Sequence, residues 1–458
     1  MPAMSSKLPI VAIVGRANVG KSSLFNAILQ RREAIVADEP GTTRDSTMAK
    51  ATYGEQDFWL VDTAGMKDPD DDFEFTIQEQ ITQAADSADV IWVVVEANVI
   101  ITEEDRRVAK MALRSGKPVF LVANKIDRAR KTDIVAAFQR LGIKQIIGTS
   151  AIHRDGIREL LDRLVRVIPK ATLAEDAGRL HVALLGRPNV GKSSLFNTLA
   201  KKQQAIVADR AGTTRDVNRT RVRAHDREIE LMDTAGIRRA GKIERGAEHF
   251  SVLRSLAAIE QADVCILLLD ANEIAVQLDQ KIAGMVKEAG KGLIIAISKW
   301  DALEGKTAFS RDQLAAQLAR EYDFVPWAPL VFTSAITGQN VAKLLDLALE
   351  IDAERHKRIK TSELNQWLRR VVDRHPPAGL KNRSPKLNYM VQEEDNPTPA
   401  FKVFGSQTKF LHWSYRRYME HGLREAFGFA GSPVQLWFIE KHVAHKHGES
   451  PTHSSQAQ

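Results

Sequence analysis

Apolar residues along the chain fall into short continuous runs, separated by stretches where they recur at helical spacing. Runs at 8–14, 90–95, 118–123 and 145–148 read as buried strands, while 21–29, 103–114 and 157–167 each carry one apolar face and read as helices. The alternation returns further on, with strands at 180–185, 264–269, 293–297 and 329–332 and helices at 192–200, 278–288 and 341–353. Strands that are apolar throughout must be covered on both faces. The pattern therefore predicts an α/β fold with a mostly parallel sheet and helices on each side, made twice. Beyond 353 the order changes. A helix at 362–372 places Leu364, Leu368, Val371 and Val372 on one side and is broken by Pro376-Pro377-Ala378-Gly379. Strands at 386–392 and 400–404 flank a polar loop at 393–399. A basic helix at 413–427 and a last strand at 434–439 complete an α-β-β-α-β unit of α+β type.

The two α/β halves are copies. Gly15-Arg16-Ala17-Asn18-Val19-Gly20-Lys21-Ser22 recurs with one change, 171 residues on, as Gly186-Arg187-Pro188-Asn189-Val190-Gly191-Lys192-Ser193. Gly41-Thr42-Thr43-Arg44-Asp45 recurs as Gly212-Thr213-Thr214-Arg215-Asp216, and Asp62-Thr63-Ala64-Gly65 as Asp233-Thr234-Ala235-Gly236, both at the same offset. Asn124-Lys125-Ile126-Asp127 meets Ser298-Lys299-Trp300-Asp301 after 174 residues, and Thr149-Ser150-Ala151 meets Thr333-Ser334-Ala335 after 184. The period is far too long for a solenoid, so this is one domain in tandem.

The octapeptides fit the phosphate-cradling loop between a strand and a helix. Glycines let the backbone turn tightly and aim several N–H groups into one concavity, and the helix adds its positive end. Lys21 and Lys192 would then reach the β- and γ-phosphates, with Ser22 and Ser193 as Mg²⁺ ligands. Asp62 and Asp233, on strand ends about 40 residues downstream, are placed to hold the same ion through water. The N–H of Gly65 or Gly236 is placed to sense the γ-phosphate. Thr63, Ala64 and Met66 complete the first site's acidic loop, as Thr234, Ala235 and Ile237 do the second's. Ser150 and Ala151, with Ser334 and Ala335, are counted with the nucleotide-binding residues.

Composition adds less. The chain has 458 residues, 44% hydrophobic and 27% charged, and a single cysteine, which excludes an internal disulfide and suits a reducing compartment. That residue, Cys265, lies in an apolar run and reads as core. No run is long enough to span a membrane, and residues 1–9 lack a signal peptide's apolar core. Net charge is +7. Between 352 and 447 there are 17 Lys and Arg against 10 Asp and Glu, so the last hundred residues hold the whole excess.

Asn124-Lys125-x-Asp127 resembles the guanine-reading motif of translation-factor-type GTPases, in which the Asp carboxylate binds the base edge and the Lys stem packs on the ring. Two such units followed by a basic α+β unit resemble one family, Der (also called EngA), bacterial ribosome-assembly GTPases; the likeness covers about 8–440. It implies a first GTPase domain at 8–169, a linker at 170–179, a second GTPase domain at 180–355, a KH-like RNA-binding domain at 356–441 and a disordered tail at 442–458. It implies that Thr43 and Thr214 close on Mg²⁺ when GTP is bound. It further implies that Asn18 and Asn189 hold a K⁺ ion, because Met66 and Ile237 stand where Ras-like GTPases place glutamine. GTP and GDP in two sites, Mg²⁺ and K⁺ are the expected ligands. The expected partner is the large ribosomal subunit and its rRNA, with no membrane and no DNA, for a cytoplasmic monomer.

Two departures stand out. Ser298 replaces the motif's asparagine, which is expected to cost the second site a base contact. The run Gly428-Phe429-Ala430-Gly431 follows a helix and reads as a helix stop, not an RNA clamp. A scaffold with structural nucleotide is the alternative function. A tRNA-modification GTPase is set aside because that family's C-terminal cysteine motif is missing.

Overall fold

The computed structural model describes residues 8–29, 48–54, 56–63, 77–126, 133–168, 179–202, 219–233, 252–274, 276–303, 307, 309–377, 379, 383–394 and 396–440. The first copy runs β1 (Ile10–Val14), α1 (Lys21–Leu29), β2 (Met48–Tyr53), β3 (Gln56–Asp62), α2 (Ile77–Ser87), β4 (Val90–Glu96), α3 (Glu103–Arg114), β5 (Val119–Asn124), α4 (Asp133–Phe138), β6 (Gln145–Gly148) and α5 (Ile157–Val165). Its sheet order is β2-β3-β1-β4-β5-β6. Among these strands only the β2–β3 pairing is antiparallel. Every residue of β1 is buried, as helices on both faces require.

The second copy repeats this with β7 (Leu180–Leu185), α6 (Lys192–Lys202), β8 (Arg219–Ala224), β9 (Arg227–Asp233), α7 (Val252–Gln261), β10 (Val264–Asp270), α8 (Gln277–Glu288), β11 (Gly292–Ser298), α9 (Ser310–Glu321), β12 (Leu330–Phe332) and α10 (Val341–Arg355). The order β12-β11-β10-β7-β9-β8 is the same sheet read from its other edge. In each copy the chain leaves β1 or β7 at the point where the strand order reverses, the crevice where open α/β sheets bind ligands.

One compact unit comprises Met1–His356 with Ala430–Pro433, so it holds both copies. Within it a single apolar cluster includes Trp59, Ile81 and Ala84 of the first copy and Leu253, Leu256 and Cys265 of the second. The buried Glu260 carboxylate of α7 accepts hydrogen bonds from Trp59 Nε1 (2.5 Å) and Leu8 N (3.0 Å) of the first copy. Burial pushes the Cys265 thiol up to about 12, in keeping with a core role.

The second unit comprises Lys357–Phe429 and Val434–Gln458. It runs α11 (Thr361–Arg374), β13 (Lys386–Gln392), β14 (Ala400–Ser406), α12 (Trp413–Phe427) and β15 (Gln435–Glu440). Strand β14 pairs antiparallel with β13 and parallel with β15. Leu364, Trp367, Leu368, Met390, Phe401, Val403, Met419 and Leu423 form its core. Gly428 ends α12 with φ +92°, and its N–H donates to Arg424 O, so the glycine run stops the helix. Among the described residues no helix is long and apolar enough to cross a membrane.

Candidate functional site

Glycines and one asparagine give each phosphate loop its shape. Gly15 and Gly186 sit at φ +153° and +134°, and a Cβ there would strike the carbonyl oxygen of Val94 or Leu268 in the neighbouring strand. Asn18 and Asn189 adopt left-handed φ of +64° and +59°, which asparagine tolerates. The loops curl around the lysines. Lys21 Nζ donates to Gly15 O (2.7 Å) and Arg16 O (2.6 Å); Lys192 Nζ donates to Gly186 O (2.9 Å) and Arg187 O (2.5 Å). Both lysines are buried. Burial pulls the Lys21 ammonium below its usual value, against the opposing pull of Asp62. A partly desolvated cation inside a ring of backbone groups favours an incoming anion.

Ser22 Oγ donates to Asp62 Oδ2 at 2.6 Å, and Ser193 Oγ to Asp233 Oδ2 at 3.1 Å. Helix start and strand end thus bring a hydroxyl and a buried carboxylate together beside each lysine. Such hard oxygen donors fit Mg²⁺. Thr63 ties the acidic strand end to the loop's strand, donating from Oγ1 to Ile13 O at 2.7 Å.

The base-reading segments lie against the same loops. Asn124 Nδ2 donates to Val19 O (3.0 Å) and Gly20 O (3.3 Å), while its Oδ1 accepts from Ala151 N (3.1 Å) and Thr149 Oγ1 (3.3 Å). The whole amide therefore joins the phosphate loop to the 149–151 turn, bringing Ser150 and Ala151 alongside. At the equivalent register position Ser298 Oγ lies 2.7 Å from Val190 O and 2.9 Å from Leu269 O. Among the described residues, Ser298 makes no bond matching the one from Asn124 to Ala151. The substitution thus gives up a contact to the turn that follows the next strand. Lys125 and Lys299 take left-handed φ of +65° and +53°. Lys125 Nζ bonds Asn18 O (2.8 Å) and pairs with Glu96 (3.2 Å); Lys299 Nζ pairs with Asp270 (2.7 Å). Ile126 N donates to Thr149 O and Trp300 N to Thr333 O, each at 3.1 Å, holding each motif on its following turn. Asp301 is exposed.

Thr43, Thr214, Ala64, Gly65, Met66, Asp127, Thr234, Ala235, Gly236 and Ile237 lie outside the described residues, as do nearly all of the linker and the tail. Acids missed in the sequence also reach the site. Arg16 pairs with Glu96 and Asp105, and Arg187 with Glu273 and Asp279. Asp105 and Asp279 are 174 apart, the offset of Asn124 and Ser298, so the repeat itself carried the signal.

In the second unit the basic residues divide. Arg416 and Arg417 are exposed and lie over the Phe438 and Trp413 rings. Arg424, on the same basic helix, is turned inward, donating to Glu420 Oε1 and Phe429 O.

Residues 10–125 and 181–299 match the family described as "50S ribosome-binding GTPase". Residues 358–438 match "KH-domain-like of EngA bacterial GTPase enzymes, C-terminal". A protein named GTPase Der from Chloroflexus aggregans is 45% identical over 439 residues, covering 94% of this chain and 97% of its own. Another GTPase Der, from Gemmatimonas aurantiaca, is 42% identical over 430 residues, covering 94% and 98%.

Proposed function

The chain belongs to the Der family of GTPases, which makes it a GTP-hydrolysing enzyme, and on that premise we propose a two-site switch in large-subunit ribosome assembly. One guanine nucleotide binds in each copy, and the KH-like domain docks on ribosomal RNA. The observation that carries the two-site reading is the duplicated group of buried lysine, serine hydroxyl and carboxylate: Lys21 with Ser22 and Asp62, Lys192 with Ser193 and Asp233.

Hydrolysis is water attack on the γ-phosphate, so catalysis is positioning plus stabilisation of spread negative charge. Lys21 and Lys192 leave their loop carbonyls for the β- and γ-phosphates, and the loop N–H groups orient the chain of phosphates. Ser22 with Asp62, and Ser193 with Asp233, would hold Mg²⁺, which would supply positive charge to neutralise the phosphates. Gly65 and Gly236 would sense the γ-phosphate and Thr43 and Thr214 would close on Mg²⁺ while GTP is bound, and cleavage would free both segments and reset the switch. Asn18 and Asn189 would hold K⁺, which would supply positive charge where Met66 and Ile237 offer no polar group. Asp127 and Asp301 accept from the guanine edge. The basic C-terminal excess supports rRNA as partner, and the chain works as a monomer in the cytoplasm.

Pelleting of the full chain with purified large subunits tests the docking claim. Co-sedimentation should differ at least several-fold between a non-hydrolysable GTP analogue and GDP. Equal pelleting in both would remove the switch from the account.

A further inference from the structure

The second residue of each phosphate loop is an arginine whose carbonyl helps seat the loop lysine, Arg16 O for Lys21 and Arg187 O for Lys192. Whatever anchors the arginine side chain therefore also anchors one wall of that seat. The two copies anchor it differently. Arg187 Nε donates to Asp279 Oδ2 at 2.9 Å, Nη1 to Glu273 Oε2 at 2.9 Å, and Nη2 to Glu273 O at 3.1 Å. Asp279 is fully buried, in the first turn of α8. Among the described residues Arg16 has only ion pairs, 3.4 Å to Asp105 and 3.6 Å to Glu96, and its Nε makes no hydrogen bond.

The cause can be read in the sequence. Thr102 caps α3, and both its N–H and its hydroxyl donate to Asp105 Oδ2, so that carboxylate has two tasks. The matching cap position of α8 is Val276, which makes no side-chain cap and leaves Asp279 to the arginine. Glu96 likewise serves both Arg16 and Lys125. In the second copy that work is divided, Asp270 taking Lys299 and Glu273 taking Arg187.

We propose that Arg187, Glu273 and Asp279 form a positioning clamp that fixes the second phosphate loop in its binding shape. The first loop, whose arginine shares its carboxylates, is held less firmly, so the second site releases guanine nucleotide more slowly. The proposal rests on each loop being a nucleotide site. Forked, charge-assisted hydrogen bonds are the strong kind, and a loop already held in its bound shape loses less freedom on binding. Burial pushes the Asp279 carboxyl up to about 6 against the pull of Arg187, and its Oδ1 has no hydrogen-bond partner among the described residues. The fold thus keeps a carboxylate that costs it stability, as a group retained for positioning would.

The test uses the full chain with one site removed: Lys21→Ala reports on the second site, Lys192→Ala on the first. Release of a fluorescent GDP is measured by stopped flow. Arg187→Ala and Asp279→Asn should each speed release from the second site about tenfold, with Arg187→Lys recovering only part of the loss. Arg16→Ala should speed release from the first site less than about threefold. The Asp279→Asn chain should melt no lower than its parent at pH 8, because a carboxyl whose folded pKa is raised destabilises the native state above that value. Faster release without a lower Tm separates positioning from a merely structural role. Unchanged release in Asp279→Asn, or equal effects of removing the two arginines, would overturn the clamp. A Lys21→Ala chain that binds no GDP would overturn the two-site reading, and the clamp with it.

Discussion

Exchanging the residues at positions 124 and 298 tests whether the motif's amide acts through the scaffold. Asn124 spends both N–H groups on loop carbonyls and its oxygen on Ala151 N and Thr149 Oγ1. A serine in its place keeps at most the loop contact, since Ser298 has one proton to share between Val190 O and Leu269 O. The change removes the acceptor for the buried Ala151 N–H. An unsatisfied buried donor costs about 1–3 kcal/mol. If about 1 kcal/mol of that falls on the bound loop, Asn124→Ser in a Lys192→Ala chain weakens GDP binding about fivefold. The reverse change, Ser298→Asn in a Lys21→Ala chain, should tighten GDP binding by a similar factor. The two positions are equivalent in their sheets, Asn124 pairing with Glu96 just as Ser298 pairs with Asp270. Titration with a fluorescent GDP reads both. Opposite signs support the scaffold role; an unmoved Kd in both chains, or weakening in both, would refute it.

Three further outcomes follow. Steady-state hydrolysis should run faster in KCl than in NaCl at equal ionic strength, and equal rates would leave Asn18 and Asn189 with their turn-forming role alone. Replacing Arg416 and Arg417 together by Glu should weaken RNA binding and flatten its log Kd against log salt slope by roughly one for each phosphate no longer neutralised; Arg424→Glu should lower Tm instead, and an RNA affinity untouched by the first pair would move the interface elsewhere. Hydrogen bonds to Asp263 and Glu230 raise His181 to about 9, so its stabilising charge is fully present below about pH 6.5 and lost as pH rises through 9. After allowance for solvent screening this is on the order of 1–2 kcal/mol, and His181→Gln should flatten the fall of Tm between pH 7 and 10; an unchanged slope would contradict it.

Central strands were legible because both faces are covered: β4, β5, β10 and β11 read as unbroken apolar runs, and a parallel interior strand has little choice. The edge strands β2 and β8 were not. MAKATY exposes Lys50, and RTRVRA exposes Arg219 and Arg223, at the sheet margin, so polar side chains interrupt the run. Helix α9 escaped for a related reason, burying only Leu318. Repetition at a fixed offset was enough to find the loop glycines, lysines, serines and acidic strand ends. It did not find the partners of Arg16 and Arg187, since an acid in a helix's first turn reads equally as a cap or dipole partner. Asp105 is both. The protein contacts of Asn124 were also out of reach, because they come from residues 19, 20, 149 and 151, which only the fold brings together.

The central claim is that each copy carries its own guanine-nucleotide site, and counting bound GDP by equilibrium dialysis tests it most directly. The native chain should bind two equivalents, the Lys21→Ala and Lys192→Ala chains one each, and the double variant none. Either single variant still binding two equivalents would contradict the account.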